Sequence, residues 1–200
     1  MGWVLGLTGG AGSGKSTAAA VLRSMGLPVV DADSVSRSLT AAGGEAMPEI
    51  IEAFGAEMAL PDGALDRARM RTLVFSDAAA RRKLESIIHR RLAVIVDRLL
   101  AEGRRTAPFV VYDCPLLIES ADARARADRI LVIDAPEEMQ IRRLGSRSGL
   151  AEDAARRLLA AQTSRTARLA AADDVIVNDS GREAFEARVH AYGEALLAAG

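Results

Sequence analysis

The sequence predicts an α/β fold in three layers around a parallel five-stranded sheet. Five short apolar runs alternate with longer stretches rich in Ala, Leu, Arg and Glu that have helical spacing. Strands that alternate with helices need crossover connections, and such connections favour a parallel sheet. The apolar runs also lack polar alternation, which is typical of strands that are covered by helices on both faces.

The predicted strands are short and bounded by polar or turn residues. They cover residues 4–7, 29–31, 109–112, 130–133 and 175–177. Helical spacing predicts helices over residues 15–24, 77–102, 136–147, 152–161 and 182–197. Residues 43–102 contain only helical patterns and a Pro61-Asp62-Gly63 turn, so we expect a helical insertion there. Residues 140–168 are rich in arginine and broken near Ser148-Gly149, which suggests a mobile lid.

Composition narrows the class of protein. The chain has 200 residues, of which 50% are hydrophobic and 26% charged, and its net charge is −1. These values are typical of one globular domain and give no general positive field for nucleic acid. The single cysteine excludes an internal disulfide. The sequence has no secretory leader and no apolar run that could span a bilayer, so we expect a cytoplasmic protein with small-molecule partners, monomeric or weakly homo-oligomeric.

A phosphate-binding loop follows the first predicted strand. Residues 9–17 read Gly-Gly-Ala-Gly-Ser-Gly-Lys-Ser-Thr, which fits G-x-x-x-x-G-K-[ST] with a strand before it and a helix after it. Glycines let the backbone N–H groups point at phosphate oxygens, and the helix adds its positive N-terminal end. The pattern therefore predicts that ATP contacts Gly10, Ala11, Gly12, Ser13, Gly14, Lys15, Ser16 and Thr17.

Within that loop, Lys15 is predicted to bridge the β- and γ-phosphates, and the Ser16 hydroxyl to bind Mg²⁺. Asp113 ends a predicted strand and is the predicted carboxylate partner of the metal, with Asp134 as the alternative. A GTPase is disfavoured, because no Asn-Lys-x-Asp motif occurs in a chain with only two lysines. Small kinases remain.

Asp33 is a candidate for accepting the proton of an attacking hydroxyl. It follows the second predicted strand, and the carboxyl ends of parallel strands line the ligand crevice in open α/β sheets. The competing interpretation is that Asp31 or Asp33 only caps the next helix.

These blocks together resemble the dephospho-coenzyme A kinase family nearly end to end. The resemblance rests on the phosphate loop, on Asp31-Ala32-Asp33 with Arg37, on 113–117, on 136–140 with Arg143 and Arg147, and on Gln162, Arg165, Arg168 and 172–178. The 43–102 segment resembles the family's coenzyme-binding domain, although Met70 and Arg90 stand where Leu and Pro are usual. A core of residues 1–42, 103–139 and 169–200 would then bind the nucleotide, and 140–168 would form the lid.

The resemblance implies phosphoryl transfer from Mg·ATP to the ribose 3′-hydroxyl of dephospho-coenzyme A. It assigns Asp33 as base, Arg143 and Arg147 as lid cations, and Arg147 and Asn178 to ATP, with Asn178 reading the adenine. The residues that it implies for binding the acceptor are Asp33, Arg37, His89 and Leu117.

Several alternatives remain open at this stage. Gln140, Arg143 and Arg147 are spaced to share one face of a helix, and this arginine face of the lid is also compatible with a solvent-exposed surface that binds no phosphate. His89 is compatible with a local hydrogen bond, and Asn178 with an Asx turn. For the whole protein, a small kinase with another acceptor (a nucleoside, shikimate or gluconate) and a nucleotide-dependent switch that transfers no phosphate are the rivals.

Overall fold

The structure is a computed structural model that describes residues 2–199 of the 200-residue chain. Its elements group into two compact units. One unit contains the residues up to Val30 and those from Leu100 onward, and the other is Asp31–Leu99. The sheet lies in the first unit, except that Asp31, the last residue of the second strand, belongs to the second unit. The second unit is otherwise helical. The division into nucleotide-binding core, coenzyme-binding insertion and lid stays a prediction.

Each of the five predicted strands is present. They are β1 (Trp3–Gly9), β2 (Val29–Asp31), β3 (Phe109–Asp113), β4 (Arg129–Asp134) and β5 (Asp174–Val177). The strands are parallel and lie in the order β2-β3-β1-β4-β5, so the predicted α/β fold is confirmed. All five residues of β3 are buried, as are all but the first of β4, which agrees with the absence of alternation in the sequence.

The register of the sheet brings chemically active ends together. It aligns Leu7 with Asp113, Gly9 with Ile133, and Asp134 with Val177. Because the strands are parallel, the residues that follow β1, β3, β4 and β5 meet at one edge of the sheet. The phosphate-loop motif therefore shares that edge with Asp113, Asp134 and Asn178.

Ten α-helices lie within the described part of the chain. They are α1 (Lys15–Ser24), α2 (Ala32–Ser38), α3 (Met47–Phe54), α4 (Arg67–Ser76), α5 (Ala78–Thr106), α6 (Ala121–Ala125), α7 (Glu137–Ser148), α8 (Glu152–Ala160), α9 (Arg165–Ala170) and α10 (Arg182–Ala199). All five predicted helices are present. Helix α2 entered the sequence prediction only as the helix that Asp31 or Asp33 would cap. The short helices α6 and α9 were not predicted as separate elements, because five or six residues are too few to show a helical period.

The core of the first unit packs α1 and α10 against the sheet. The apolar face of α1 buries Ala18, Ala19 and Leu22, and α10 contributes Phe185 and Val189 to the same cluster. Burying one side chain of the size of Leu or Phe stabilises the fold by about 1.5–3 kcal/mol. This packing fixes the start of α1, and with it the end of the phosphate loop.

The second unit keeps its helices in place despite the two departures from the family's pattern. Met70 is 3% exposed, so the unbranched methionine fills a core position in place of leucine. Helix α5 runs without interruption through His89 and Arg90, and the Arg90 guanidinium pairs with Glu49 on α3.

No helix among the described residues is long and apolar enough to cross a membrane.

A hydrogen-bonded cluster at the β5 edge of the sheet ties β4, β5 and α10 together. Both Nε and Nη2 of Arg129 donate to the Asp174 carboxylate, and the Tyr192 hydroxyl donates to its Oδ2 at 2.8 Å. The Arg129 hydrogen bond holds the pKa of Asp174 below its ordinary value. Burial, followed by the hydrogen bond to Asp174, raises the pKa of Tyr192.

Asp174→Asn should lower the free energy of unfolding by about 1–2 kcal/mol at pH 7, since it removes a charge-assisted pair. A carboxyl pKa that is lower in the folded state adds stability above its unfolded pKa of about 3.9, and this stability is lost as the pH falls through the folded pKa. The difference between wild type and variant should therefore shrink at acid pH. Urea unfolding from pH 7 to pH 3 measures it. Glu186→Gln, which breaks the exposed Arg182 pair, is the control and should change little; a pH-independent difference would contradict the prediction.

Candidate active site

The phosphate loop is a tight curl between β1 and α1. Gly12 and Gly14 adopt φ angles of +73° and +100°, which L side chains rarely adopt. Gly14 is the N-cap residue of α1 and offers no side-chain cap. The main-chain N–H groups of Gly14, Lys15 and Ser16 have no acceptor among residues 2–199. Together with the positive end of α1 they form a set of donors suited to phosphate oxygens.

Side chains from distant elements hold the outside of this curl. The Asn178 amide, 5% exposed, donates from Nδ2 to the Ser13 carbonyl at 2.7 Å. The Arg143 guanidinium donates to the Gly12 carbonyl at 3.3 Å and to Asn178 Oδ1 at 3.0 Å. Burial lowers the pKa of Arg143. These contacts hold the loop by its carbonyl groups and leave the N–H groups of Gly14, Lys15 and Ser16 for a ligand.

Three further side chains lie at the start of the loop. Gln162, between α8 and α9, accepts the Ala11 N–H through Oε1 at 3.0 Å. A Cβ on Gly10 would lie 2.7 Å from Arg168 Nη1 and 2.7 Å from Gln140 Nε2. Burial lowers the pKa of Arg168. Gln162 and Arg168 entered the sequence prediction only as part of the family resemblance, because no local pattern indicates a contact across about 150 residues.

Lys15 points along the sheet edge to Asp113. Its Nζ donates to Asp113 Oδ1 at 2.5 Å, and the two side chains are 18% and 7% exposed. Asp134 accepts both Nε and Nη2 of Arg165, at 2.8 and 2.6 Å, and these hydrogen bonds raise the pKa of Arg165. The carboxylates of Asp113 and Asp134, at the ends of β3 and β4, are thus each paired with a positively charged side chain of the protein.

The described residues contain no group of three His, Cys, Asp or Glu that could hold a metal by itself. This agrees with a Mg²⁺ site of the kind found in kinases, where one or two protein oxygens suffice and phosphate and water complete the shell. Ser16, at the second position of α1, and Asp113 are oxygen donors of that kind. The donor set fits a magnesium ion bound together with a nucleotide.

The predicted arginine face of α7 separates into three environments. Gln140 is buried at 7% exposure, Arg143 is half-buried against the loop, and Arg147 is exposed. Arg147 has no hydrogen-bond or ion-pair partner within the described residues. Its helix ends one residue later at Ser148, and Gly149 caps it with a φ of +64°, which matches the predicted break. Arg147 is thus the cation of this face that the fold does not use.

Leu117 lies in the core. Its side chain is 0% exposed and covers Gly6, where a Cβ would lie 2.6 Å from Leu117 Cδ2. A contact between Leu117 and a substrate could come only from its main chain. The neighbouring Leu116 is 62% exposed, and sequence reasoning did not single it out.

Asp31, the last residue of β2, and Asp33, in the first turn of α2, have different roles. The Asp31 carboxylate caps α2 by accepting the Ser34 N–H at 3.0 Å. Asp33 is exposed in the first turn of α2 and has no hydrogen-bond or ion-pair partner among the residues described. The capping interpretation therefore applies to Asp31 and leaves the Asp33 carboxylate available.

The second unit also contains a cavity of about 350 Å³. It is lined by Ser36, Arg37, Thr40, Leu65, Arg67, Met70, Arg71, Val74, Leu84 and Ile88. Part of its wall is apolar, and the rest bears the guanidinium groups of Arg37, Arg67 and Arg71. The Arg67 guanidinium donates to Thr40 Oγ1 at 2.9 Å. His89 is exposed on α5, next in sequence to the wall residue Ile88. A ligand with an apolar arm and an anionic group suits such a wall.

Comparisons with known proteins agree on one family. A family model described as dephospho-CoA kinase matches residues 3–184. The chain is 48% identical over 191 residues to a dephospho-CoA kinase of Dechloromonas aromatica, covering 94% of this chain and 90% of that one. It is 46% identical over 196 residues to a dephospho-CoA kinase of Burkholderia lata, covering 98% and 96%.

Solved structures are similar along the whole chain. TT1252 from Thermus thermophilus has a TM-score of 0.74 at 34% identity and covers 98% of each chain. A dephospho-CoA kinase from Campylobacter jejuni has a TM-score of 0.71 at 20% identity, covering 98% of this chain and 97% of that one. A shikimate kinase from Bacteroides thetaiotaomicron has a TM-score of 0.51 at 17% identity, covering 97% and 98%. The last two likenesses establish the fold alone.

Gly14→Ala should destabilise the protein more than Gly26→Ala. Both residues have positive φ, +100° and +84°, so both substitutions carry a backbone cost of about 1–2 kcal/mol. At Gly14 the new Cβ would also lie 2.3 Å from Asn178 Nδ2, whereas nothing lies within 4 Å at Gly26. We expect an additional loss of about 1–3 kcal/mol at Gly14. Urea unfolding of both variants measures the difference, and equal losses would show that the loop is not packed as described.

Proposed function

The chain belongs to the dephospho-CoA kinase family, ATP-using transferases that catalyse the final step of coenzyme A biosynthesis, and we propose how its residues carry out that transfer. The reaction moves the γ-phosphate of ATP to the ribose 3′-hydroxyl of dephospho-coenzyme A. The observation that carries the acceptor's identity is the family match along residues 3–184. The geometry of the phosphate loop supports the ATP side independently.

On the ATP side, the N–H groups from Gly14 to Ser16 receive phosphate oxygens, and Lys15 bridges the β- and γ-phosphates. Lys15 exchanges Asp113 for the more highly charged phosphates, which the flexible four-carbon stem of its ammonium permits. Ser16 and Asp113 would hold Mg²⁺, which neutralises charge on the transferred group when bound. Transfer then depends on positioning more than on covalent chemistry.

Asp33 is proposed to accept the proton of the attacking hydroxyl. The support is that Asp31 already caps α2, so the fold makes no use of the Asp33 carboxylate. A carboxylate with no competing partner can orient a hydroxyl and take its proton as the bond to phosphorus forms.

Arg147 is proposed to close over the phosphates as the mobile cation of the lid. The guanidinium is exposed and has no partner in the part of the chain that is described, so no ion pair has to break for it to move. A planar fork with a permanent charge is suited to the equatorial oxygens of a transferred phosphoryl group. Arg143 of α7 already donates to the Gly12 carbonyl of the loop, and it is proposed to act from that position.

The cavity in the second unit is proposed to receive the acceptor. Its apolar wall suits the pantetheine arm, and Arg37 with its neighbours suits the diphosphate. His89 is proposed to contact the same molecule. The contacts of Leu117 with the acceptor and of Asn178 with the adenine stay predictions, as do cytoplasmic location, the monomeric or weakly oligomeric state and the absence of nucleic-acid binding.

The central test measures ADP release from Mg·ATP with and without dephospho-coenzyme A, with mass spectrometry of the acceptor. We expect ADP release that depends on the acceptor and one added phosphate on the acceptor. Shikimate, gluconate and a nucleoside serve as competing acceptors in the same assay. Phosphorylation of one of these in place of dephospho-coenzyme A would overturn the acceptor, and ATP binding without acceptor-dependent ADP release would indicate a nucleotide switch.

Asp33→Asn should lower kcat by about 10²–10⁴-fold while the free energy of unfolding stays unchanged, since it removes a general base that the fold does not use. Asp31→Asn is the matched control, because asparagine caps a helix as well as aspartate does. We expect that control to keep both stability and turnover. Steady-state kinetics and urea unfolding of the two variants give the comparison; near-normal turnover of Asp33→Asn would remove Asp33 from its role.

A further inference from the structure

The Asn178 side chain is placed at the back of the phosphate loop with both ends of its amide engaged. Nδ2 donates to the Ser13 carbonyl at 2.7 Å, and Oδ1 accepts from Arg143 Nη2 at 3.0 Å. The Asn178 main-chain N–H donates to the Asp134 carbonyl at 2.7 Å, which ties the residue to the end of β4. The residue is 5% exposed. Arg143 Nη2 also donates to the Asn178 carbonyl at 3.3 Å, so the residue is held by four hydrogen bonds rather than by solvent.

The Ser13 carbonyl belongs to the peptide whose N–H is that of Gly14. A trans peptide is planar, and its C=O and N–H point in opposite directions. A hydrogen bond that holds the Ser13 oxygen against Asn178 therefore turns the Gly14 N–H to the opposite side of the loop, where it is free to donate. Arg143 holds the preceding peptide through the Gly12 carbonyl at 3.3 Å, and the N–H of that peptide, on Ser13, donates to the Gly10 carbonyl at 3.0 Å.

The Ser13 side chain gives this peptide no second anchor. The Ser13 hydroxyl is buried and has no hydrogen-bond partner in the described chain, so it anchors nothing. The close approach of the amide depends on Gly14, since a Cβ there would lie 2.3 Å from Asn178 Nδ2. The loop glycine and the asparagine thus form one packed unit.

We infer that Asn178 is a positioning residue: it orients the Gly14 N–H toward the phosphates and does not read the adenine through its side chain. An asparagine amide has two N–H donors and one carbonyl acceptor, and most of this capacity is used inside the protein. The inference rests on the proposed binding of ATP at the loop. It replaces recognition of the base by recognition of the phosphate as the role of this residue.

Asn178→Asp is the decisive variant. The carboxylate keeps the volume and the contact with Arg143, but it cannot donate to the Ser13 carbonyl. Asn178→Ala removes the donor without adding a charge, and it stands in if the aspartate variant does not fold. Asp179→Ala is the matched control from the same turn, because it removes only a side-chain bond to the exposed Arg188. Thermal unfolding of all the variants reports on the fold.

The readout separates the two halves of ATP. Calorimetry measures the binding of ATP, of inorganic tripolyphosphate and of adenosine to each protein, with no acceptor present. We expect Asn178→Asp to weaken ATP and tripolyphosphate by a similar factor of about ten, the usual effect of one lost buried hydrogen bond, with adenosine and the control unchanged.

Three results would overturn the inference. Weaker adenosine with unchanged tripolyphosphate would mean that Asn178 reads the base. Weaker binding of both halves would mean a general structural role, and unchanged binding of both would mean none. Because no acceptor is used, these outcomes are independent of whether the wild-type protein phosphorylates dephospho-coenzyme A.

Discussion

The hydrogen-bonded register of β1 between β3 and β4 is the constraint on which the site depends. It aligns Leu7 with Asp113 and Gly9 with Ile133, so the phosphate loop leaves β1 beside two strand-end carboxylates. A slip of two residues in β3 would keep the same side chains buried but would move Asp113 about 6–7 Å along the sheet. Lys15 could then no longer reach it. Correct pairing in the sheet is therefore a condition for the chemistry as well as for the core.

The edge that this register creates is neutralised by the chain's own cations. Asp113 binds the Lys15 ammonium, and Asp134 binds the Arg165 fork through two hydrogen bonds. The two cations differ in what they can do. An ammonium on a flexible stem is a point charge that can exchange one anion for another, whereas a guanidinium fork is matched to one planar partner. A chain that uses arginine almost everywhere keeps a lysine where the partner is proposed to change.

The phosphate loop shows how a binding site can be prepared through groups that never touch the ligand. The carbonyl oxygens of Gly12 and Ser13 accept from Arg143 and Asn178, and the N–H groups of Gly14, Lys15 and Ser16 remain available. A donor set fixed before binding pays less ordering entropy when the phosphates arrive. Burial of these polar side chains is tolerated because each finds a hydrogen-bond partner in the loop. In the second unit, by contrast, the candidate binding side chains of Asp33 and Arg37 are exposed to solvent.

The sequence by itself determined the five strands, five of the helices, the phosphate loop and the family. Each of these is encoded locally, by apolar runs, by helical spacing or by a motif within nine residues. From the sequence, either Asp31 or Asp33 could cap the helix that follows. The structure shows that the Asp31 carboxylate accepts the Ser34 N–H, so Asp31 is the cap. The tertiary structure alone decided that Asn178 and Arg143 face the loop, that Leu117 is buried and that Lys15 pairs with Asp113. The physical reason is that these contacts join residues 98 to 165 positions apart, and only the pairing of parallel strands and the packing of helices bring such residues within hydrogen-bond distance.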